Sequence, residues 1–402
     1  MSGSETILRI AAKGDGVTAS GAHHKGTATG DTVLVDGTIE RGDHYQKPPC
    51  KHFINCGGCA LQHVDDNELL NFVTERVVNA AEGQGIAPKT LLPTHLSPPK
   101  SRRRATLHGT RLQRGKRGSA QLGFKQSGSH NIVDINECHI MRPELFALVA
   151  PLRAFLAKHG NKRGIDIDLA LTDQGVDCAI KNIELDGLEA TEAVLDFARD
   201  EGLARLSLDM GYGAEAMWEP EPVTITLSGV AVPFPSGAFL QATQDAQEKL
   251  ASDAAQVLAG AGRVADLFAG LGTFGFALSG GSEAVAVEAA RDAHLACKSA
   301  AARGQRNVTA VHRDLFRNPL QADELKNFDA ALLDPPRAGA REQVAAIAES
   351  DLKRLVYISC NPASWARDAK RLVDAGFTLE QMRPVGQFRW STHVELFSYF
   401  TR

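Results

Sequence analysis

From residue 237 onward, short apolar runs alternate with longer amphipathic stretches, and Gly, Pro or Asp punctuates most of the joins. The runs at 263–268, 284–288, 307–314, 328–334 and 354–359 read as buried strands. The stretches between them, starting with residues 244–258, read as helices, and two further strands close the chain. Such alternation predicts an α/β fold, a Rossmann-like parallel sheet with helices on both faces. Upstream the pattern is less regular. Residues 1–47 are rich in Gly, Thr and Val, with alternating pieces such as TVLVDGTI, and predict a short β-rich segment closed by Pro48 and Pro49. Residues 48–235 combine a predicted helix at 67–82 with a basic stretch and short strands, including 165–172 and 222–227. Three domains are expected: 1–47, 48–235 and 236–402.

A chain of 402 residues, 43% hydrophobic and 23% charged, has the composition of a globular protein large enough for several domains. The N-terminus MSGSETILRI lacks the basic and apolar regions of a signal peptide, and no apolar run is long enough to span a bilayer, so a cytoplasmic protein is expected. The net charge of −4 gives no general affinity for nucleic acid. Charge is uneven, however. Lys100, Arg102, Arg103, Arg104, Arg111, Arg114, Lys116, Arg117 and Lys125 fall in one stretch without an acid, a candidate phosphate-binding surface.

Gly270 and Gly272 occupy the turn after the strand ADLF, where missing side chains let the backbone approach a ligand. Glu288 ends the next strand, at the interval where an acid receives ribose hydroxyls. With Asp314 and Asp334, acids recur at the carboxyl ends of successive strands, an arrangement similar to the S-adenosylmethionine-dependent methyltransferase fold. A nicotinamide enzyme is the competing reading of the turn.

Cys360 sits where the run RLVYIS ends and Pro362 opens a helix. The positive end of that helix is expected to favour thiolate over thiol. A buried packing cysteine is the alternative. In DPPRAG, Arg337 takes the place where many amino-group methyltransferases carry an aromatic residue. A pyrimidine carbon, unlike a nitrogen, must be activated before it can accept a methyl group. A thiolate adding to C6 of uracil makes C5 nucleophilic, and a base must then remove the C5 proton before the cysteine can leave. Glu395, in HVELFSYF, is the candidate base.

DPPRAG, SCNPASWARD and the terminal HVE resemble the RNA 5-methyluridine methyltransferase family, continuously from about residue 234 to 402. The resemblance implies Cys360 as nucleophile and Glu395 as general base. It also implies S-adenosylmethionine contacts at Gln241, Phe268, Thr273, Glu288, Asp314 and Asp334. Ala269 replaces a cysteine frequent in the family's glycine loop.

Cys50, Cys56 and Cys59, in CKHFINCGGC, with Cys138 form a four-thiolate set suited to zinc or to an iron-sulfur cluster, between which spacing cannot choose. The resemblance implies a [4Fe-4S] cluster, since GGCALQH matches a family pattern. Being far in sequence from Cys360, it is expected to organise structure and RNA. Cys178 and Cys297 are expected as core residues. The cluster goes with family members acting on 23S rRNA, with a tRNA T-loop uridine as the alternative substrate. Residues 1–47 resemble a shortened RNA-binding TRAM domain, and a monomer is expected. A non-catalytic iron-sulfur RNA-binding protein of the same fold is the reading from another class.

Overall fold

The computed structural model describes residues 3–112, 119–161, 164–185, 187–211 and 213–402. Arg114, Lys116 and Arg117 of the basic stretch lie outside the described residues.

The alternating C-terminal part forms seven strands: β1 (Arg263–Leu267), β2 (Glu283–Glu288), β3 (Val308–His312), β4 (Ala330–Leu333), β5 (Arg354–Ser359), β6 (Thr378–Gly386) and β7 (Glu395–Thr401). Their spatial order is β3-β2-β1-β4-β5-β7-β6. The first five run parallel. β7, one of the two closing strands, is antiparallel to both its neighbours. Its link to β6, residues 387–394, is too short for the dozen or more residues a parallel crossover needs.

Successive strand residues feed opposite layers. Ala265, Leu355, Tyr357 and Leu396 face one core, with Trp365 and Leu372 of the helix α6 (Pro362–Asp374). Their neighbours Val264, Val356, Ile358 and Phe397 face another, with Leu250 and Ala254 of α1 (Gln244–Val257). In sequence between α1 and α6 come α2 (Thr273–Leu278), α3 (Arg291–Arg303), α4 (Ala322–Leu325) and α5 (Arg341–Glu349). The helices therefore cover both faces of the sheet, as period-two burial requires.

The preceding chain is not independent of this sheet. Thr90–Leu91 and His95–Leu96 pair in parallel with β6 and extend its edge. The hairpin Thr224–Leu227 and Val230–Pro233, which sequence grouped with the central region, packs Leu227 and Val232 against Phe276, Ala296 and Ala300. Helix Asp66–Glu82 starts where Asp65 caps the Glu68 amide, and its apolar face lies against α6 and β6. A seven-stranded sheet occupies most of residues 104–218, and five short strands lie within residues 5–40. Among the described residues, no helix is long and apolar enough to cross a membrane.

Candidate active site

The carboxyl ends of the parallel strands open into one cavity of about 690 Å³. Gln241, Phe268, Thr273, Glu288, Asp314 and Asp334 all line it, and so do Cys360 and Glu395. Residues more than 150 positions apart in sequence thus meet: Phe268, Glu288, Asp314, Asp334 and Cys360 at the carboxyl ends of parallel strands, Glu395 at the start of antiparallel β7, and Gln241 and Thr273 at or just before helix starts.

Local backbone explains the floor of this cavity. Gly272 has φ +87°, and a Cβ there would stand 2.7 Å from the Cys297 sulfur and 2.8 Å from the Phe276 ring, so no larger residue fits. Phe268 adopts φ +64°, unusual for a bulky side chain, and its ring meets Phe316 at 5.3 Å between centroids. Strain of this kind marks positions that the surrounding structure over-determines. The Gly270 amide donates to Glu288 Oε2 at 2.8 Å and the Ala290 amide to Oε1 at 2.6 Å, which fixes that carboxylate at the end of β2. Asp314 caps its own loop by accepting from the Phe316 amide at 3.0 Å.

Glu395 is 5% exposed, its Oε2 has no hydrogen-bond partner, and burial pushes its carboxyl up to about 7. Gln387 and Arg104 pull in the opposite direction. Burial likewise pushes Asp334 well above the usual carboxylate range, with the nearby Glu395 adding to the shift. Gln241 Nε2 donates to Asp334 Oδ2 at 3.2 Å.

Cys360 departs from the expectation of a helix-activated thiolate. Burial, then Glu395 and Asp334, push its thiol up to about 11, and Arg337 opposes them only in part. The N-terminus of α6 is committed elsewhere. Asn361 Oδ1 accepts from the Ala363 amide at 3.2 Å, while Asn361 Nδ2 and Ser364 Oγ donate to the Arg337 carbonyl at 2.9 and 3.0 Å. The helix end thus holds the DPPRAG loop rather than the sulfur.

Cys50, Cys56, Cys59 and Cys138 line a second, small cavity with Phe53, Phe124, Ile135 and Ile140. All four are free, and burial pushes each thiol up, Cys50 to about 11 and Cys59 to about 12. Among the described residues no group of three or more His, Cys, Asp or Glu side chains is placed so as to hold a metal ion. Gln62, from GGCALQH, accepts from the Cys50 amide at 3.1 Å, and His63 Nε2 meets the Thr27 carbonyl at 3.0 Å. Distance in sequence from the reacting residues is misleading here. The Ala60 and Leu61 amides donate to the Trp390 carbonyl at 2.7 and 2.9 Å, so the cysteine segment braces the loop that leads into Glu395.

The arginine triplet also differs from an open phosphate-binding face. Arg102 lies near Cys56, Cys59 and Cys138, with its guanidinium 5.9 Å from the Phe124 ring and 5.4 Å from the Phe388 ring. Arg103, 5% exposed, donates to the Gln241 carbonyl at 3.1 Å and to Gln247 Oε1 at 2.6 Å. Arg104 lies near Glu395 and Cys360, with its guanidinium 4.8 Å from the Phe239 ring. Alternation along a strand sends consecutive side chains to different faces, which a charge count does not register.

Sequence reading missed Gln387, Arg104 as a neighbour of Glu395, and Asp266, a fully buried acid that accepts from the Gly275 amide at 2.7 Å. The position of Gln387 just ahead of HVE was the only available signal.

Residues 225–402 match the family model described as tRNA (Uracil-5-)-methyltransferase. A 23S rRNA (uracil(1939)-C(5))-methyltransferase of Pectobacterium carotovorum is 30% identical over 369 residues, which cover 88% of this chain and 80% of that protein. The chain belongs to the RNA uracil-5 methyltransferase family. The methyltransferase is also 46% identical over 397 residues to an uncharacterized RNA methyltransferase of Zymomonas mobilis, covering 98% of this chain and 99% of that one. Among solved structures it resembles the Pyrococcus abyssi tRNA (uracil-54, C5)-methyltransferase in complex with S-adenosyl-L-homocysteine, at TM-score 0.77 and 19% identity, with 99% of each chain covered. That likeness establishes the S-adenosylmethionine-dependent methyltransferase fold for this RNA uracil-5 methyltransferase.

Proposed function

We propose that this enzyme transfers a methyl group from S-adenosylmethionine to C5 of a uridine in 23S rRNA, with Cys360 as nucleophile and Glu395 as general base. One observation carries the reading: Cys360 and the buried, half-partnered Glu395 share a cavity with Gln241, Phe268, Thr273, Glu288, Asp314 and Asp334. Those six residues would hold the cofactor, Glu288 at the ribose hydroxyls and Phe268 against an apolar face. When bound there, the sulfonium supplies an electrophilic methyl group.

The residues of the chain account for the remaining chemistry. Cys360 gives its thiol proton to solvent as its sulfur bonds to C6, and the C5=C6 pair shifts to C5, which becomes the nucleophile. After methyl transfer, the Glu395 carboxylate removes the C5 proton. The released pair re-forms C5=C6 as the bond from C6 to sulfur breaks and the thiolate departs. A carboxyl near pH 7 suits that step, because it is substantially ionised yet basic.

We read the four free cysteines, which come from two segments of the chain to line one small cavity, as the residues that would hold a [4Fe-4S] cluster. Bound there, a cluster would tie Cys138 to the segment that braces the Trp390 loop. We further read residues 1–47 as a shortened TRAM-like segment, 48–235 as the cluster and RNA-binding region, and 236–402 as the methyltransferase domain.

The 23S rRNA reading is favoured over tRNA because the relative acting on rRNA matches at 30% identity across 88% of this chain, whereas the tRNA enzyme is similar in fold. Mapping 5-methyluridine in rRNA and tRNA from cells with and without the protein tests this. Loss from 23S rRNA alone is expected, and loss confined to the tRNA T-loop would reject the assignment.

A further inference from the structure

Gln387 is a buried amide, 2% exposed, on the loop that leaves β6. Its Oε1 accepts from the Ala242 backbone N–H at 3.0 Å. A backbone N–H can only donate, so this bond fixes which end of the amide is oxygen. Nε2 then donates to Gln241 Oε1 at 3.1 Å and also faces the Glu395 carboxylate. With its oxygen occupied, Gln241 turns Nε2 to Asp334 Oδ2. The direction of every link follows from the one unambiguous donor at Ala242.

We propose that Gln387 is the positioning residue of this site, orienting Gln241 toward the cofactor and holding the Glu395 carboxylate ready to take the C5 proton. The inference rests on Glu395 being the base. It concerns a residue that touches neither reacting atom, and it explains how a carboxylate with one orphaned oxygen is held in place.

Glu395 is faced by Arg104 and Gln387, which favour its ionised form, and by Asp334 and Cys360, whose own ionisation it disfavours. Replacing the Gln387 amide by an apolar group removes one stabilising donor from the carboxylate. The Glu395 pKa then rises, and the ionised fraction at neutral pH falls. Gln241 loses the partner of its oxygen at the same time, so its amide becomes free to rotate.

The test uses the full chain, an rRNA fragment and S-adenosylmethionine, comparing Gln387→Met and Gln387→Glu with Glu395→Gln. In Gln387→Met, decay of the RNA–protein adduct is expected to follow a pH profile displaced upward by about one unit, with about tenfold slower decay on the acid side. The KM for S-adenosylmethionine should rise several-fold, and raising the pH should restore the decay rate. Gln387→Glu places a second carboxyl beside Glu395 and should displace the profile at least as far, which keeps the test open if the Met variant does not fold. A profile superimposable on that of the unmodified enzyme in both variants overturns the role of Gln387. Normal turnover by Glu395→Gln would instead overturn the base assignment itself, so the two failures are distinguishable.

Discussion

The Leu61 amide donates to the Trp390 carbonyl at 2.9 Å, joining the cysteine segment to the loop that carries the chain into Glu395. Trp390 has φ +60°, so the loop is held in a conformation that an unsupported bulky residue would leave. The cysteines therefore have a direct structural route to the reacting residues.

Replacing Cys59 with Ala should loosen that loop. Hydrogen exchange at residues 388–394 is expected to speed up by at least tenfold, while exchange in β1 and β4 changes little. Unchanged protection in the loop would break the proposed link.

Cys360 should react slowly with iodoacetamide at neutral pH, because burial and the Glu395 and Asp334 carboxyls hold its thiol near 11. Peptide-resolved alkylation is expected to rise about tenfold per pH unit from 7 to 10. A plateau already reached by pH 8 would show an activated thiolate in the free enzyme.

Arg103→Met should cost about 2–4 kcal/mol of stability, since hydrogen bonds from a charged donor contribute about 1.5–3 kcal/mol each. Arg103 is buried among Gln241 and Gln247, so the salt dependence of RNA binding should keep its slope. A flattened slope, measured by filter binding across salt concentrations, would return Arg103 to the phosphate-contacting set.

Asp266 predicts the sign of one pH effect on stability. Burial raises its folded pKa to about 7, whereas an unfolded aspartate ionises near 4. The native state therefore binds the extra proton between those values, and stability present at lower pH is lost as pH rises toward 7. Asp334 and Glu395, also raised, add to the same slope. Asp266→Asn keeps an acceptor for the Gly275 amide and should flatten Tm against pH over this interval. An unaltered slope would mean that burial does not raise the Asp266 carboxyl above its unfolded value.

Much of the methyltransferase part was legible because its signals are local. The strands ending at Leu267, Glu288, Leu333 and Ser359 are apolar runs closed by Gly, Pro or acid, and the Gly270–Gly272 turn follows directly from one of them. What was hidden depends on partners far along the chain. Gln387 gains its meaning from Gln241, 146 positions earlier, and Arg103 from Gln247, 144 positions later. Thr90–Leu91 and His95–Leu96 extend a sheet whose other strands begin after residue 260. The direction of the Cys360 shift was missed for a related reason. A helix N-terminus is visible in sequence, whereas the carboxyls and burial that outweigh it come from other strands.

The account turns on a covalent bond from Cys360 to uracil C6 that Glu395 must help to break. Glu395→Gln, incubated with S-adenosylmethionine and an rRNA fragment containing the target uridine, should accumulate a protein–RNA species that survives denaturation, carries one added methyl group, and maps to Cys360 by mass spectrometry. Release of methylated RNA by this variant at the rate of the unmodified enzyme, with no such species detected, would contradict it.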